Sequence, residues 1–233
     1  MAPSKRLFLL VVLTLFITTT PLLAQASGPD EVRLTVIEHV FKEGKGHTQV
    51  NTIPPVDDSA TNPDYKLLSY HWYITAKYWV NPSNKYGFSN SDVVTAIKAS
   101  ANAWDAETGA TVFSWQGTIS KNAGKRDGYN VVAWGHYRAG VIAVTYIWYS
   151  GSQILETDIL LNTFYKWSLS GESGKMDIKN IMTHEFGHWA GLADLYNDKD
   201  YWLTMYGYSD YGETYKRTLG LGDTNGLEYR YGP

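Results

Sequence analysis

The sequence predicts an α+β fold, and three observations predict it. Short segments rich in β-branched and aromatic residues, each bounded by turn formers, recur between residues 70 and 162. Two stretches place apolar residues at helical spacing behind a capping residue, one after Ser89 and one after Asp177. A hydrophobic share of 44 % over 233 residues supports a single good-sized core.

Taken in order, Lys5 and Arg6 precede the apolar run Leu7 to Ile17, and Ala24-Gln25-Ala26 offers small residues to a signal peptidase. Residues 1–26 therefore read as an export signal, too short in its apolar part for a comfortable membrane span. A secreted, extracellular protein with no stable membrane association after cleavage is expected. From Val32 to Val40, Val32, Leu34, Val36 and Val40 alternate with Arg33, Thr35 and His39 in a strand pattern that Lys42 to Gly46 ends. Asn51 to Asp64, with Pro54, Pro55 and Pro63, reads as a loop or linker. Residues 27–69 are thus either a removable pro-segment or an extension packed on a domain spanning 70–233, and the sequence does not choose.

Within that domain, Tyr70 to Val80 is a strand stopped by Asn81-Pro82-Ser83-Asn84. Ser89 with Asp92 three residues on opens a helix whose Val93, Ile97, Ala101 and Trp104 should cover one sheet face. Strands follow at Thr111 to Trp115 and Asn130 to Trp134, separated by the turn-rich Lys121 to Gly128. Val141 to Tyr149 is almost continuously apolar and fits either a strand beside the active site or a buried central one. Glu156 to Asn162 reads as the next strand.

Composition narrows the function. With 20 Lys+Arg against 23 Asp+Glu, the net charge of −3 argues against a sequence-independent nucleic-acid binder. The absence of cysteine excludes disulfides, cysteine ligands and a thiol-based latency switch. Most of the 18 Tyr and 9 Trp suit packing in sheets, and some suit a cleft. His39, His47, His71 and His136 are scattered without ligand spacing and read as surface or strand histidines. No repeat, P-loop or nucleophile elbow is present.

The chemistry concentrates in Ile181 to Asp194, which reads as a zinc site. At about 100° per residue, His184 and His188 project from one helix face while Met182, Phe186 and Trp189 gather on the other. Gly187 falls on the histidine side, where the missing side chain leaves room for metal and substrate. Glu185 flanks the pair and suits a general base acting on water activated by the metal. A catalytic zinc has three protein ligands and an open position. Gly191 can end the helix in a left-handed turn, which lets Asp194 swing toward the ion as the third.

The array His184-Glu185-x-x-His188-x-x-Gly191-x-x-Asp194 resembles the extended signature of the metzincin zinc metallopeptidases, in the aspartate-ended variant associated with snapalysin-like and some matrixin-like proteins. Leu203 to Tyr208 resembles the metzincin methionine turn, with Met205 as apolar floor beneath the metal. Asp223 to Gly232 resembles the matrixin C-terminal helix. The resemblance implies a twisted mixed sheet, a covering helix, the active-site helix, the methionine turn and a C-terminal helix. It implies a monomeric endopeptidase that binds extended polypeptide against an exposed edge strand, Val141 to Tyr149, by backbone pairing. Asp158 falls at the family's recurring acidic position, where a structural or Ca2+ role is open without further support. An anionic third ligand should leave a zinc-activated water less acidic than three imidazoles would, so activity is expected at neutral to alkaline pH. Two other readings stand beside this one. They are an extracellular module that keeps the zinc fold but binds polysaccharide or a protein surface, and an amidase acting on cell-wall peptides.

Overall fold

The computed structural model describes residues 31–43 and 57–233. The export signal expected at 1–26, His47 and the start of the expected linker lie outside the described residues. The described residues of Glu31–Pro233 form one compact unit, so residues 31–43 and 57–69 belong to the same body as the rest.

In chain order the elements are β1 (Arg33–Phe41), β2 (Ala76–Val80), α1 (Asn90–Asp105), β3 (Phe113–Thr118), β4 (Asn130–Gly135), β5 (Val141–Ser150), β6 (Gln153–Asn162), β7 (Trp167–Ser168), β8 (Met176–Asp177), α2 (Ile178–Trp189), β9 (Tyr208–Ser209) and α3 (Leu221–Tyr231). The class is α+β. One mixed seven-stranded sheet runs β3-β2-β4-β6-β5-β1-β9, and β7 pairs with β8 separately. β3, β2, β4 and β6 are mutually parallel. β5 is antiparallel to both β6 and β1, and β9 is parallel to β1.

The first helix forms where its cap predicts. Ser89 Oγ accepts the Asp92 N–H at 3.1 Å, and Val93, Ile97, Ala101 and Trp104 are buried. Two bonds pin α1 to α2: Trp104 Nε1 donates to Thr183 O at 2.8 Å, and Ser100 Oγ donates to Lys179 O at 3.1 Å. On the sheet side of α2, Phe186 meets Tyr78 and Phe113 with ring centroids 5.3 and 5.0 Å apart. These aromatics are core, as their spacing opposite the histidines predicts.

Three elements differ from expectation. The strand expected from Tyr70 begins only at Ala76. Residues before it find partners at the start of β6 instead: His71 N–H donates to Ser152 O at 3.0 Å, and Ile154 N–H donates to His71 O at 2.9 Å. β5 is not an exposed edge, because β1 covers it in a register running from Arg33 opposite Tyr149 to Val40 opposite Val141. β1 itself shows its apolar residues to solvent, with Leu34 50 % and Val36 43 % exposed, and turns Thr35, Ile37 and His39 inward. Alternation identified the strand, yet the face it buries is the more polar one.

The turn-rich 121–128 loop is held from β6. Asp158 accepts the N–H groups of Gly124, Lys125 and Val131 at 2.7, 3.2 and 2.8 Å, and Glu156 accepts those of Asp127 and Gly128 at 2.6 and 2.7 Å. The Asp158 oxygens are engaged by amide donors, which is the structural of the two roles read for it.

Candidate metal centre

α2 starts at Asp177, whose Oδ1 accepts the Asn180 N–H at 2.9 Å. The helix ends at Ala190, and Gly191 follows at φ +88°, a left-handed conformation that L side chains rarely adopt. A Cβ there would stand 3.0 Å from Tyr70 O. The returning chain is then clamped on both sides. Leu68 N–H donates to Gly191 O and Ala193 N–H to Lys66 O, at 2.9 and 2.8 Å. Leu195 N–H donates to Met205 O at 2.9 Å. Asp194, between these anchors, is delivered to the two histidines.

The geometry there is specific. Asp194 Oδ1 lies 3.1 Å from His184 Nε2 and 3.5 Å from His188 Nε2, and all three residues are buried. Each imidazole gives its Nδ1–H to a backbone carbonyl, His184 to Thr204 O at 2.7 Å and His188 to Leu192 O at 3.0 Å. That fixes the orientation of both rings and aims each Nε2 at the Asp194 carboxylate. None of the three inward atoms, Nε2 of His184, Nε2 of His188 and Oδ1 of Asp194, has a hydrogen-bond partner. Two imidazole nitrogens and a carboxylate oxygen, all buried, converge on one point, an arrangement able to hold a cation. Tetrahedral zinc with bonds of about 2.0–2.2 Å sets its donors roughly 3.4 Å apart, close to the two separations observed.

Electrostatics point the same way. Burial lowers His188 to about 4, against the pull of Asp194, so the ring is neutral and free to ligate. Burial works to raise Asp194, but the two histidines and the Tyr196 hydroxyl outweigh it and hold the carboxyl below the usual carboxylate range. Tyr196 Oη donates to Asp194 Oδ2 at 3.0 Å, fixing the carboxylate that offers Oδ1 inward.

Gly187 plays a different part from the one its helix face suggests. A Cβ on it would lie 2.2 Å from Met205 Sδ and 2.6 Å from Trp104 Cζ2, so the space is filled by protein rather than left for metal or substrate. Met205 therefore presses its thioether on α2 between the two histidines. Its turn is held by Asp223 of α3, which accepts the N–H groups of Thr204, Met205 and Gly220 at 2.7, 3.0 and 2.8 Å. One continuous path thus runs from Asp223 through Thr204 to the His184 ring.

Glu185 is fully buried beside this trio, and its partners come from far away in the chain. Thr145 Oγ1 on β5 donates to Oε2 at 2.5 Å. His39 Nδ1 on β1 lies 3.1 Å from Oε1, and the His39 ring packs against that of His184, tilted by 35° with centroids 3.9 Å apart. His39 Nε2 faces Ser209 Oγ at 3.0 Å. Ser209 Oγ donates its proton to Glu213 Oε1 at 2.8 Å and accepts from Lys216 Nζ at 2.6 Å. His39 must therefore donate from Nε2 and present a bare Nδ1 to Glu185. Burial lowers His39 well below its ordinary value and raises Glu185 to about 7, so the proton between them sits on the carboxyl.

The structure brings together His184, Glu185, His188, Asp194, Gly191 and Met205, all singled out by sequence. His39, Thr145, Tyr196 and Asp223 join them, and their roles at the site were not singled out. His39, read as an ordinary strand histidine, is instead buried against Glu185, 146 positions away. No local spacing signals such a pairing; only the sheet register creates it. No protein-family model matches this chain, nor does any curated protein, which leaves the geometry of the site to carry the functional reading.

Proposed function

We propose that this chain is a secreted zinc-dependent endopeptidase of the matrixin-like metzincin type. The observation that carries the reading is the convergence of two buried imidazole nitrogens and a buried carboxylate oxygen beside a buried carboxyl group. Two imidazoles and one carboxylate, each oriented by a second hydrogen bond, suit zinc by donor type, number and spacing. Bound zinc supplies Lewis acidity toward water and toward a substrate carbonyl. Glu185, raised to about 7, suits a base that takes the proton of the attacking water and passes it to the leaving amine. Thr145 holds one Glu185 oxygen and so orients the other. The mixed sheet, the helix packed on it and the Met205 turn agree with this reading. Residues 1–26 supply its export signal.

The test is Glu185→Gln. The variant should hold one zinc per chain by elemental analysis and lose casein hydrolysis; cleavage at the parental rate would remove Glu185 from the mechanism. One observation favours a second reading, an extracellular binding module on a zinc fold: Glu185 is fully buried in this conformation. Retention on insoluble glycan or on a protein surface, with no peptide bond cleaved after zinc loading, would select that module. Release of stem peptides from cell walls with new free amino groups, the glycan strands uncut and casein untouched, would select the amidase.

A further inference from the structure

We propose that Lys216 and Asn180 form an intramolecular amide cross-link, Lys216 Nζ displacing ammonia from the Asn180 carboxamide while Glu213 carries the protons. The bond ties the start of α2 to the segment that follows β9, and its formation needs neither zinc nor peptide hydrolysis.

The three residues meet out of contact with solvent. Lys216 and Asn180 are fully buried, and Glu213 is buried beside them. A lysine so placed has to be paired, and Glu213 Oε1 lies 2.9 Å from its Nζ. The same oxygen accepts from Asn180 Nδ2 at 3.0 Å. One carboxylate oxygen thus bridges amine and carboxamide, the position required of a group that moves a proton from one nitrogen to the other. The carboxamide oxygen is held as well, since the Lys216 backbone N–H donates to Asn180 Oδ1 at 2.8 Å. That donor polarises the carboxamide carbon and stabilises the negative charge that develops on Oδ1 under attack. Nucleophile, electrophile, proton carrier and oxyanion donor are therefore all fixed by folding, which replaces a bimolecular encounter by an intramolecular one.

The surroundings favour release of the lysine proton. Burial lowers Lys216 below its ordinary value, against the pull of Glu213, and the rings of Tyr206 and Tyr215 wall the space with centroids 5.7 and 5.3 Å from Nζ. As an ammonium, Nζ also donates to Ser209 Oγ and Tyr208 O. Transfer of one proton to Glu213 frees the lone pair, and the amine attacks Asn180 Cγ as the carbonyl electrons move to Oδ1. Glu213 gives its proton to Nδ2, the electrons return from Oδ1, and the Cγ–Nδ2 bond breaks. Glu213 then takes the surplus proton from the new amide nitrogen and passes it to the departing ammonia. A lysine ammonium and a carboxamide become a secondary amide and an ammonium ion, with no oxidant or co-reactant. The chain has no cysteine, and this bond closes the loop from 180 to 216 that holds His184, His188, Asp194 and Met205, restraining the unfolded chain as a disulfide would.

The experiment is a tryptic map of the purified, denatured chain by mass spectrometry. Trypsin cuts after Lys179, Lys199 and Arg217, but an amide on Nζ blocks the cut after Lys216. Peptide 180–199 is expected joined to peptide 200–217, the pair lighter than their sum by one ammonia, with fragment ions placing the branch at Asn180 and Lys216. Glu213→Gln, which keeps the shape of the side chain and cannot take the lysine proton, should instead give separate peptides 180–199 and 200–216 at their full masses. Those separate peptides recovered from the parent would overturn the inference. So would an ammonia loss confined to peptide 180–199, which marks a succinimide at Asn180. Joined peptides in the Gln variant would refute the part given to Glu213. The parental map alone decides whether the bond exists, so the outcome stands even where the variant does not fold.

Discussion

Gly187→Ala tests whether the helix carrying the histidines and the Met205 turn are fitted to each other. The added carbon would stand 2.2 Å from Met205 Sδ and 2.6 and 3.0 Å from two carbons of the Trp104 ring. Ordinary contact lies near 3.5–4.0 Å, so the thioether must retreat by roughly 1.5 Å. Neither neighbour has open space to move into. Trp104 is fully buried and tied by Nε1 to Thr183 O, and the Met205 backbone is tied to Asp223. Overpacking a close-fitted core costs about 1–3 kcal/mol, and replacing glycine within a helix returns about 1 kcal/mol. With two buried neighbours the cost falls in the upper part of that range, for a net loss of about 1–2 kcal/mol. For a domain of this size that is a fall in Tm of roughly 2–8 °C. Differential scanning calorimetry on metal-free protein measures it. Zinc titration should show weaker binding as well, because the Thr204 carbonyl that orients His184 belongs to the displaced turn. An alanine variant that melts at or above the parent, with zinc affinity intact, would refute the close fit.

Zinc should raise Tm reversibly, since it would bind three side chains that converge only in the folded chain; at a concentration 1,000-fold above Kd the gain is about 4 kcal/mol, or roughly 10 °C, and chelator should abolish it. Indifference of Tm to zinc would argue against the site. Tyr196→Phe removes the hydroxyl that holds Asp194 Oδ2 and should weaken zinc binding about tenfold by competition with a chromogenic chelator, with little change in metal-free Tm. The pH dependence follows from Glu185, which ordinarily titrates near 4.5 and is raised by burial to about 7 in the folded, metal-free chain. Between those values the folded state binds a proton that the unfolded state has lost, so this contribution to stability is present at acid pH and declines as pH rises through 7. Glu185→Gln mimics the protonated carboxyl. The stability of the parent relative to that variant should therefore fall between about pH 4.5 and pH 7, by at most about 1.4 kcal/mol per unit. Denaturant titrations at four pH values check this, and a flat difference would place the proton elsewhere.

Much of the site was legible because its parts are local. His184 and His188 share a helix face by periodicity alone, Gly191 takes the turn that only its backbone tolerates, and Asp194 follows within reach. The α1 helix, with its Ser89 cap and buried stripe, is read the same way, as are the strands near 130, 141 and 156. Gly187 shows where such reading ends. Its place on the helix was clear, but whether metal, substrate or a methionine fills the gap depends on a turn 18 residues later.

The larger divergence is at β1. Alternation marks a strand there, yet alternation is symmetric and does not say which face is buried; the groove it enters is lined by Glu185 and Ser209, so Thr35, Ile37 and His39 turn in while Leu34 and Val36 turn out. The convergence of His184, His188 and Asp194 is thus written in one helix and its turn, since residues three and four apart meet whatever surrounds them. What covers Glu185, what orients Asp194 and what supports Met205 come from His39, Tyr196 and Asp223, and their assembly depends on strand register and packing between distant segments, which no local spacing encodes.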